Sequence, residues 1–216
     1  MLVLRRLASP GANFVGVRGR SLSLVEFAGQ WSSLERRQFQ ANMRVICDFV
    51  TEKEEQRLIR EIEPHISRLP YESSHWDDAI HGYREVERKK WTPHSRAVLD
   101  RVSREACGGH VLPFVHVLDL AEVGMVKPHV DSTRFCGHTI AGISLLSDCV
   151  MRLKRATKDT VGHSADVLLP RRSLYIMSHL ARYEFTHEIL VGEQSRFREY
   201  PVKRSRRISI ICRTEP

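Results

Sequence analysis

The sequence predicts a mostly β fold with flanking helices: an eight-stranded double-sheet jelly roll carrying two N-terminal helices on the outer face of one sheet. Three observations support this. From residue 113 onward, eight short segments alternate with turn residues: FVHVLDL, MVKPHVD, TIAGISLLS, VMRLKR, ADVLL, SLYIM, YEFTHEI and RRISIICR. Strands this short and closely spaced build sandwiches and rolls rather than parallel α/β sheets. Upstream, two segments carry apolar residues at helical spacing with their own start signals. Finally, 216 residues, 42% hydrophobic and 28% charged, suffice for one globular domain with a proper core.

The elements follow in order. Residues 1–25, MLVLRRLASPGANFVGVRGRSLSLV, hold Arg5, Arg6, Arg18 and Arg20 and no acid, which accounts for half of the net charge of +8. Arg, Ser and Gly without acids read as a cleavable mitochondrial transit peptide, with a disordered basic tail as the alternative. Residues 40–216 are expected to form the folded domain. RVICDFV reads as a short strand. Thr51 starts TEKEEQRLIREIEPHI, with Glu54 completing a capping box and Leu58, Ile59, Ile62 and Ile66 at helical spacing. Pro64 is expected to bend or end that helix. TPHSRAVLDRVSREAC is the second helix, with Thr92 as N-cap, Pro93 in the first turn and Gly108 just past its end. Between them, YESSHWDDAIHGYREVERKKW shows no clear period, and its 75–81 part reads as a loop.

Composition excludes several classes. The five cysteines (47, 107, 136, 149 and 212) are scattered and form no CxxC, which argues against a zinc ribbon or disulfide framework and for a reducing compartment. No window reaches the apolar length needed to span a bilayer as a helix.

The chemistry centres on KPHVDS, where His129 and Asp131 stand two apart and share one face of a strand, so both can grip one ion. A third ligand must come from His138, His163, His179 or His187. His163 lies in a turn, His138 opens a strand without further support, and His179 ends one. In YEFTHEI, alternation puts His187 inward with Phe185 and Ile189. A lone inward histidine is more often a hydrogen-bonded core residue than a ligand. The last strand raises its standing: Arg207, Ser209, Ile211 and Arg213 share one face, and Arg206, Ile208, Ile210 and Cys212 the other. Inward arginines on an apolar strand call for an anion, such as the carboxylate of a cosubstrate. Alternatively they snorkel outward or pair with glutamates, above all Arg213 near the C-terminus. His75 and Asp77 form a second HxD, followed by His81, but without strand alternation or an arginine strand. Arg206, facing away from the site, is expected to tolerate alanine.

The order HxD at 129–131, His187, then Arg207-x-Ser209-x-Ile211-x-Arg213 resembles the iron(II)- and 2-oxoglutarate-dependent dioxygenases of the AlkB family. With HVLDL, FCGHTIAGISLL, VMRL, SLYI and ARYEFTHEIL, the likeness spans most of residues 43–213 and is greatest to the mitochondrial branch. The resemblance implies a double-stranded β-helix, cupin-like core. It implies Fe(II) on His129, Asp131 and His187, with dioxygen and 2-oxoglutarate as cosubstrates. Arg207 and Tyr175 would hold the distal carboxylate of 2-oxoglutarate, with Ser209 in the same site and Arg213 near its metal-side end. It also implies a place in the mitochondrial matrix, in fatty-acid metabolism and alkylation-induced programmed necrosis rather than DNA repair. The sequence departs from the family's nucleic-acid demethylases: RxSxIxR replaces RxNxTxR, Leu118 and Leu120 replace polar residues, and the segment that would clamp a flipped base is short. The short clamping segment favours hydroxylation of a protein, and the enzyme is expected to be a monomer. N-demethylation of mitochondrial RNA is the alternative, served by the basic run RFREYPVKRSRR (196–207). A regulatory protein of the same fold with little catalysis and a zinc hydrolase are the other readings.

Overall fold

Ser32 and Thr51 open two helices by the same device. Each hydroxyl accepts from the backbone N–H three residues on, and the glutamate there, Glu35 or Glu54, accepts from the cap's own N–H. Two orphan donors are satisfied at once. The computed structural model describes residues 23–75, 77–156 and 163–216. In chain order the elements are β1 (Val25–Ala28), α1 (Ser33–Asn42), β2 (Met43–Ile46), α2 (Glu52–Ile66), β3 (Ile80–Arg88), α3 (Pro93–Cys107), β4 (Val115–His129) and β5 (Thr139–Leu145). They continue as β6 (Cys149–Arg155), β7 (Ser164–Leu169), β8 (Leu174–Ser178), α4 (His179–Tyr183), β9 (Phe185–Ile189), β10 (Arg196–Phe197), β11 (Tyr200–Pro201) and β12 (Arg207–Arg213).

The two expected helices form with small differences. α2 runs through Pro64 to Ile66, because a proline in the last turn removes a single ladder bond while the fully buried Ile66 holds the turn in the core. α3 stops at Gly108, whose φ of +58° suits the left-handed cap that glycine adopts freely. Thr92 stands at the N-cap but spends its hydroxyl elsewhere: its Oγ1 and N–H donate to Glu61 at 2.7 and 2.8 Å, tying α3 to α2.

Ten strands curl into one antiparallel sheet ordered β1-β7-β6-β9-β4-β12-β5-β8-β2, with β3 added on β4. β4 belongs to both layers. Its first half pairs with β12, while Val126 and His129 pair with β9. The two segments FVHVLDL and MVKPHVD, expected as separate strands, are therefore one. The intervening AEVG reads as a turn because the ladder does break there. Arg204 donates to the carbonyls of Ala121, Glu122 and Gly124 in its place. A Cβ on Gly124 would lie 2.3 Å from the Gly82 carbonyl oxygen, so only glycine permits this approach of β3.

One core lies between the layers, where Leu120, Tyr175, Met177 and Ile211 face Met151, Leu153, Phe185 and Ile189. A second lies outside, where Leu58, Ile62, Ile66, Val98, Leu99 and Val102 press α2 and α3 onto Val117, Ile143, Leu174 and Ile208. That is the predicted seat of the helices. β1 and α1 were not foreseen. They close the other layer through Phe27, which packs on Trp31 and Phe39, whose rings pack in turn with Phe185. The folded unit thus starts upstream of the expected residue 40, since β1 pairs with β7 from Val25 and the Leu24 carbonyl accepts from Leu168. β3, expected without periodicity, is a strand whose mixed exposure hides its alternation.

Candidate metal centre and cosubstrate pocket

Register places the imidazoles. His129 and His187 are directly paired across β4 and β9, which sets both rings on one face with centroids 4.3 Å apart. Asp131, two residues beyond His129, turns back between them. Its Oδ1 lies 3.6 Å from His129 Nε2 and its Oδ2 3.8 Å from His187 Nε2. The three ligand atoms all lie within 4.8 Å of one another. Donors about 2.0–2.2 Å from one ion stand roughly 3–3.5 Å apart, so small side-chain rotations complete the set. His129 Nδ1 donates to the Lys127 carbonyl at 2.9 Å, which fixes the tautomer and leaves the Nε2 lone pair facing the centre.

The electrostatics suit a cation. Burial pushes the Asp131 carboxyl up, but the neighbouring His129 imidazole and the charges of His187 and Arg213 outweigh it and hold the group well below the usual carboxylate range. Burial, with the charges of His129, Arg182 and Arg213, brings His187 down to about 4 against the pull of Asp131. His187 is therefore neutral near pH 7, the state a ligand needs.

Deeper in the same cavity lies an anion cradle. Arg207 is 2% exposed, and its Nε donates to Ser144 Oγ at 3.1 Å while its Nη2 is buried without a partner among the described residues. Ser209 Oγ, also buried and beside the Tyr175 phenol, likewise lacks a partner at hydrogen-bond geometry among the described residues. Two orphaned polar atoms in one pocket fit the carboxylate of a cosubstrate. Burial keeps the Tyr175 phenol raised, hence protonated and able to donate, although the Arg207 charge pulls the other way. Its ring lies over Gly142 so closely that a Cβ there would meet the phenol carbons and oxygen at 2.3–2.4 Å. Arg213 Nη2 sits 3.1 Å from His116 Nδ1.

His129, Asp131, His187, Tyr175, Arg207, Ser209 and Arg213 thus all border one cavity. The other histidines weighed as metal ligands do not join them. His75 pairs with Asp77 at 2.6 Å and His81 with Asp78 at 2.9 Å. His138 and His179 stack on each other at 4.8 Å, and His163 packs on Trp31. Two features went unread in the sequence, His116 on the cavity wall and the glycine under Tyr175. Alternation with Leu118 along HVLDL would have placed His116 on the cavity face. Gly142 carries no signal short of the β5–β8 register.

A His–Asp–His set beside a buried arginine, inside an antiparallel roll, defines a non-haem iron oxygenase that works with a carboxylate cosubstrate. Residues 42–213 match the family model of the 2OG-Fe(II) oxygenase superfamily, and the chain belongs to that superfamily as an iron(II)- and 2-oxoglutarate-dependent dioxygenase. It is 51% identical over 170 residues to the mitochondrial alpha-ketoglutarate-dependent dioxygenase alkB homolog 7 of Bos taurus, covering 78% of this chain and 76% of that protein. The Mus musculus protein of the same name is 49% identical over the same shares. Among solved structures, OsALKBH1 superposes with a TM-score of 0.58 at 12% identity, over 80% of this chain and 98% of its own. A Pseudomonas putida prolyl-4-hydroxylase does so with 0.56 at 15%, over 81% and 92%. These two share the fold.

Proposed function

We propose that this dioxygenase acts as a monomer in the mitochondrial matrix and hydroxylates a side chain of a protein substrate. The observation that carries the reading is the cavity wall. Beside the polar groups already named, it is made of Ile80, Leu118, Val126, Ile140, Met151, Met177, Ile189 and Ile211, with Tyr175 its one aromatic among the described residues. An aliphatic wall suits a C–H bond of an amino-acid side chain, whereas an extruded base is held by stacking between flat groups. His129, Asp131 and His187 would hold iron(II). Arg207, Tyr175 and Ser209 would take the distal carboxylate of 2-oxoglutarate, and Arg213 would lie at its metal-side end. When bound, iron(II) with dioxygen and 2-oxoglutarate supplies the oxidising chemistry, yielding succinate, carbon dioxide and a hydroxylated substrate. The chain's part is to orient the cosubstrate, keep Asp131 ionised and His187 neutral, and exclude water with the aliphatic wall. It needs no general base.

The basic run 196–207 gives little support to an RNA substrate, because its arginines serve the fold. Arg198 donates to the Ser23 carbonyl, Arg204 to the β4 break, Arg206 to Asp119 and Glu63, and Arg207 to Ser144. Residues 1–22 lie outside the described residues, and we assign them to the transit peptide. The physiological setting we assign is fatty-acid metabolism and alkylation-induced programmed necrosis. The test is to trap substrates from mitochondrial extract on the Asp131→Ala protein. Enrichment of one polypeptide, hydroxylated by the wild type, supports the reading. Enrichment of N-methylated RNA that the wild type demethylates replaces it with the RNA reading.

A further inference from the structure

We infer that Glu85 and His116 form a relay that orients Arg213, making both positioning residues for 2-oxoglutarate binding. The inference rests on the cosubstrate reading above. Three adjacent strands carry the groups. His116 of β4 is paired with Ile211 of β12 and Glu87 of β3, so Arg213 and Glu85, each two residues along, share its face. His116 Nδ1 lies 3.1 Å from Arg213 Nη2, and His116 Nε2 lies 2.7 Å from Glu85 Oε2.

A guanidinium only donates, so His116 Nδ1 must accept, and the ring proton must sit on Nε2 and be donated to Glu85. The carboxylate therefore selects the tautomer that makes His116 an acceptor. With the proton on Nδ1, two donors would face each other and Arg213 would lose this anchor. His116 and Arg213 border the cavity, and the His116 side chain is only 12% exposed, so water competes poorly for the bond. Arg213 in turn lies near enough to Asp131 for its charge to act on that carboxyl. The second HxD motif finds its place here as well. His75 Nε2 stands 3.8 Å from Glu85 Oε1 while its Nδ1 pairs with Asp77, so this pair buttresses the relay's outer end.

The test is calorimetric titration of the Mn(II)-loaded protein with 2-oxoglutarate under argon, comparing wild type, His116→Leu and His116→Gln. Leucine fills the volume without polarity. Glutamine keeps an oxygen for Arg213 and an N–H for Glu85. His116→Leu is expected to weaken 2-oxoglutarate roughly tenfold with Mn(II) affinity unchanged, and His116→Gln to recover most of the loss. Wild-type affinity in His116→Leu overturns the relay, as does equal weakness of both variants, which would reveal a packing role. If His116→Leu does not fold, Glu85→Leu, at the more exposed end of the relay, decides: weaker 2-oxoglutarate with normal Mn(II) supports the relay, and unchanged affinity overturns it. Failure of the wild type to bind 2-oxoglutarate overturns the cosubstrate reading itself, and the relay with it.

Discussion

At Arg207 the buried guanidinium offers one nitrogen to Ser144 and has another without a partner among the described residues, the one proposed to meet the cosubstrate. Two parallel charge-assisted bonds to a carboxylate are beyond the compact ammonium of lysine. Arg207→Lys should raise the 2-oxoglutarate requirement, and Arg207→Ala should weaken the cosubstrate by about 10- to 150-fold, the equivalent of about 1.5–3 kcal/mol. Anaerobic calorimetry of iron-loaded protein measures this, and equal affinity in wild type and Arg207→Ala would remove the cosubstrate site. Its neighbour Arg206 is not the neutral control that its outward face suggests. Arg206 donates to Asp119, which is 0% exposed and is also held by Arg84 and Tyr71. Arg206→Ala should cost about 1.5–3 kcal/mol in urea denaturation by under-pairing a buried carboxylate, while leaving 2-oxoglutarate affinity near normal. Alternation revealed which way Arg206 points but not what it meets, because Asp119 comes from another strand. The same limit hid Gly142. Gly142→Ala should displace the Tyr175 ring and raise the 2-oxoglutarate requirement several-fold, which the same titration reads, and it should lower the melting temperature, because overpacking a buried site costs about 1–3 kcal/mol.

Strand period was the strongest signal at the scale of elements. In YEFTHEI the 1% and 5% exposure of Phe185 and Ile189 matches the inward side of a period of two, and His187 lies between them on that side. RRISIICR divides the same way, with Ile208, Ile210 and Cys212 in the outer core and Arg207, Ser209 and Arg213 toward the cavity. Less legible were elements whose partners decide their state. β3 mixes polar faces and is recognised only by its ladder to β4, and α1 draws its stability from the aromatic cluster rather than from a strong apolar stripe. The two HxD motifs differ at this level too. His129 ends a strand opposite His187, whereas His75 and Asp77 precede β3 and pair with each other. His129→Ala or His187→Ala should abolish iron binding and iron-dependent succinate formation with the fold retained. His75→Ala should leave iron affinity near normal. Isothermal titration with iron(II) distinguishes them, and iron lost in His75→Ala but kept in His187→Ala would exclude His187 as the third ligand.

For the whole molecule, the division between the proposed leader and the fold is where composition and packing meet. Half of the net +8 sits in residues 1–25, but the last three of these already belong to the folded unit. Arg198 donates to the Ser23 carbonyl, Leu168 to the Leu24 carbonyl, and Val25 opens β1 against Val167. β1 is the outermost strand of its layer, and Phe27 on it joins the cluster of Trp31, Phe39 and Phe185 that covers the strand carrying His187. Composition could not place this boundary, because Ser, Leu and Val suit a leader and an edge strand equally. Two truncations should therefore separate targeting from folding. Removal of residues 1–22 should stop mitochondrial import while purified protein keeps its melting temperature and its 2-oxoglutarate turnover. Removal of residues 1–28 should in addition cost about 2–4 kcal/mol, less than the roughly 3–5 kcal/mol of deleting a fully buried phenylalanine, because Phe27 is only partly buried. That loss should also loosen β9 and weaken iron binding. Fractionation of cells expressing tagged proteins reads the first effect, and denaturant titration with iron binding reads the second. Mitochondrial residence of the shorter truncation would defeat the targeting role of the leader, and equal stability of the two proteins would show that β1 adds nothing to the roll.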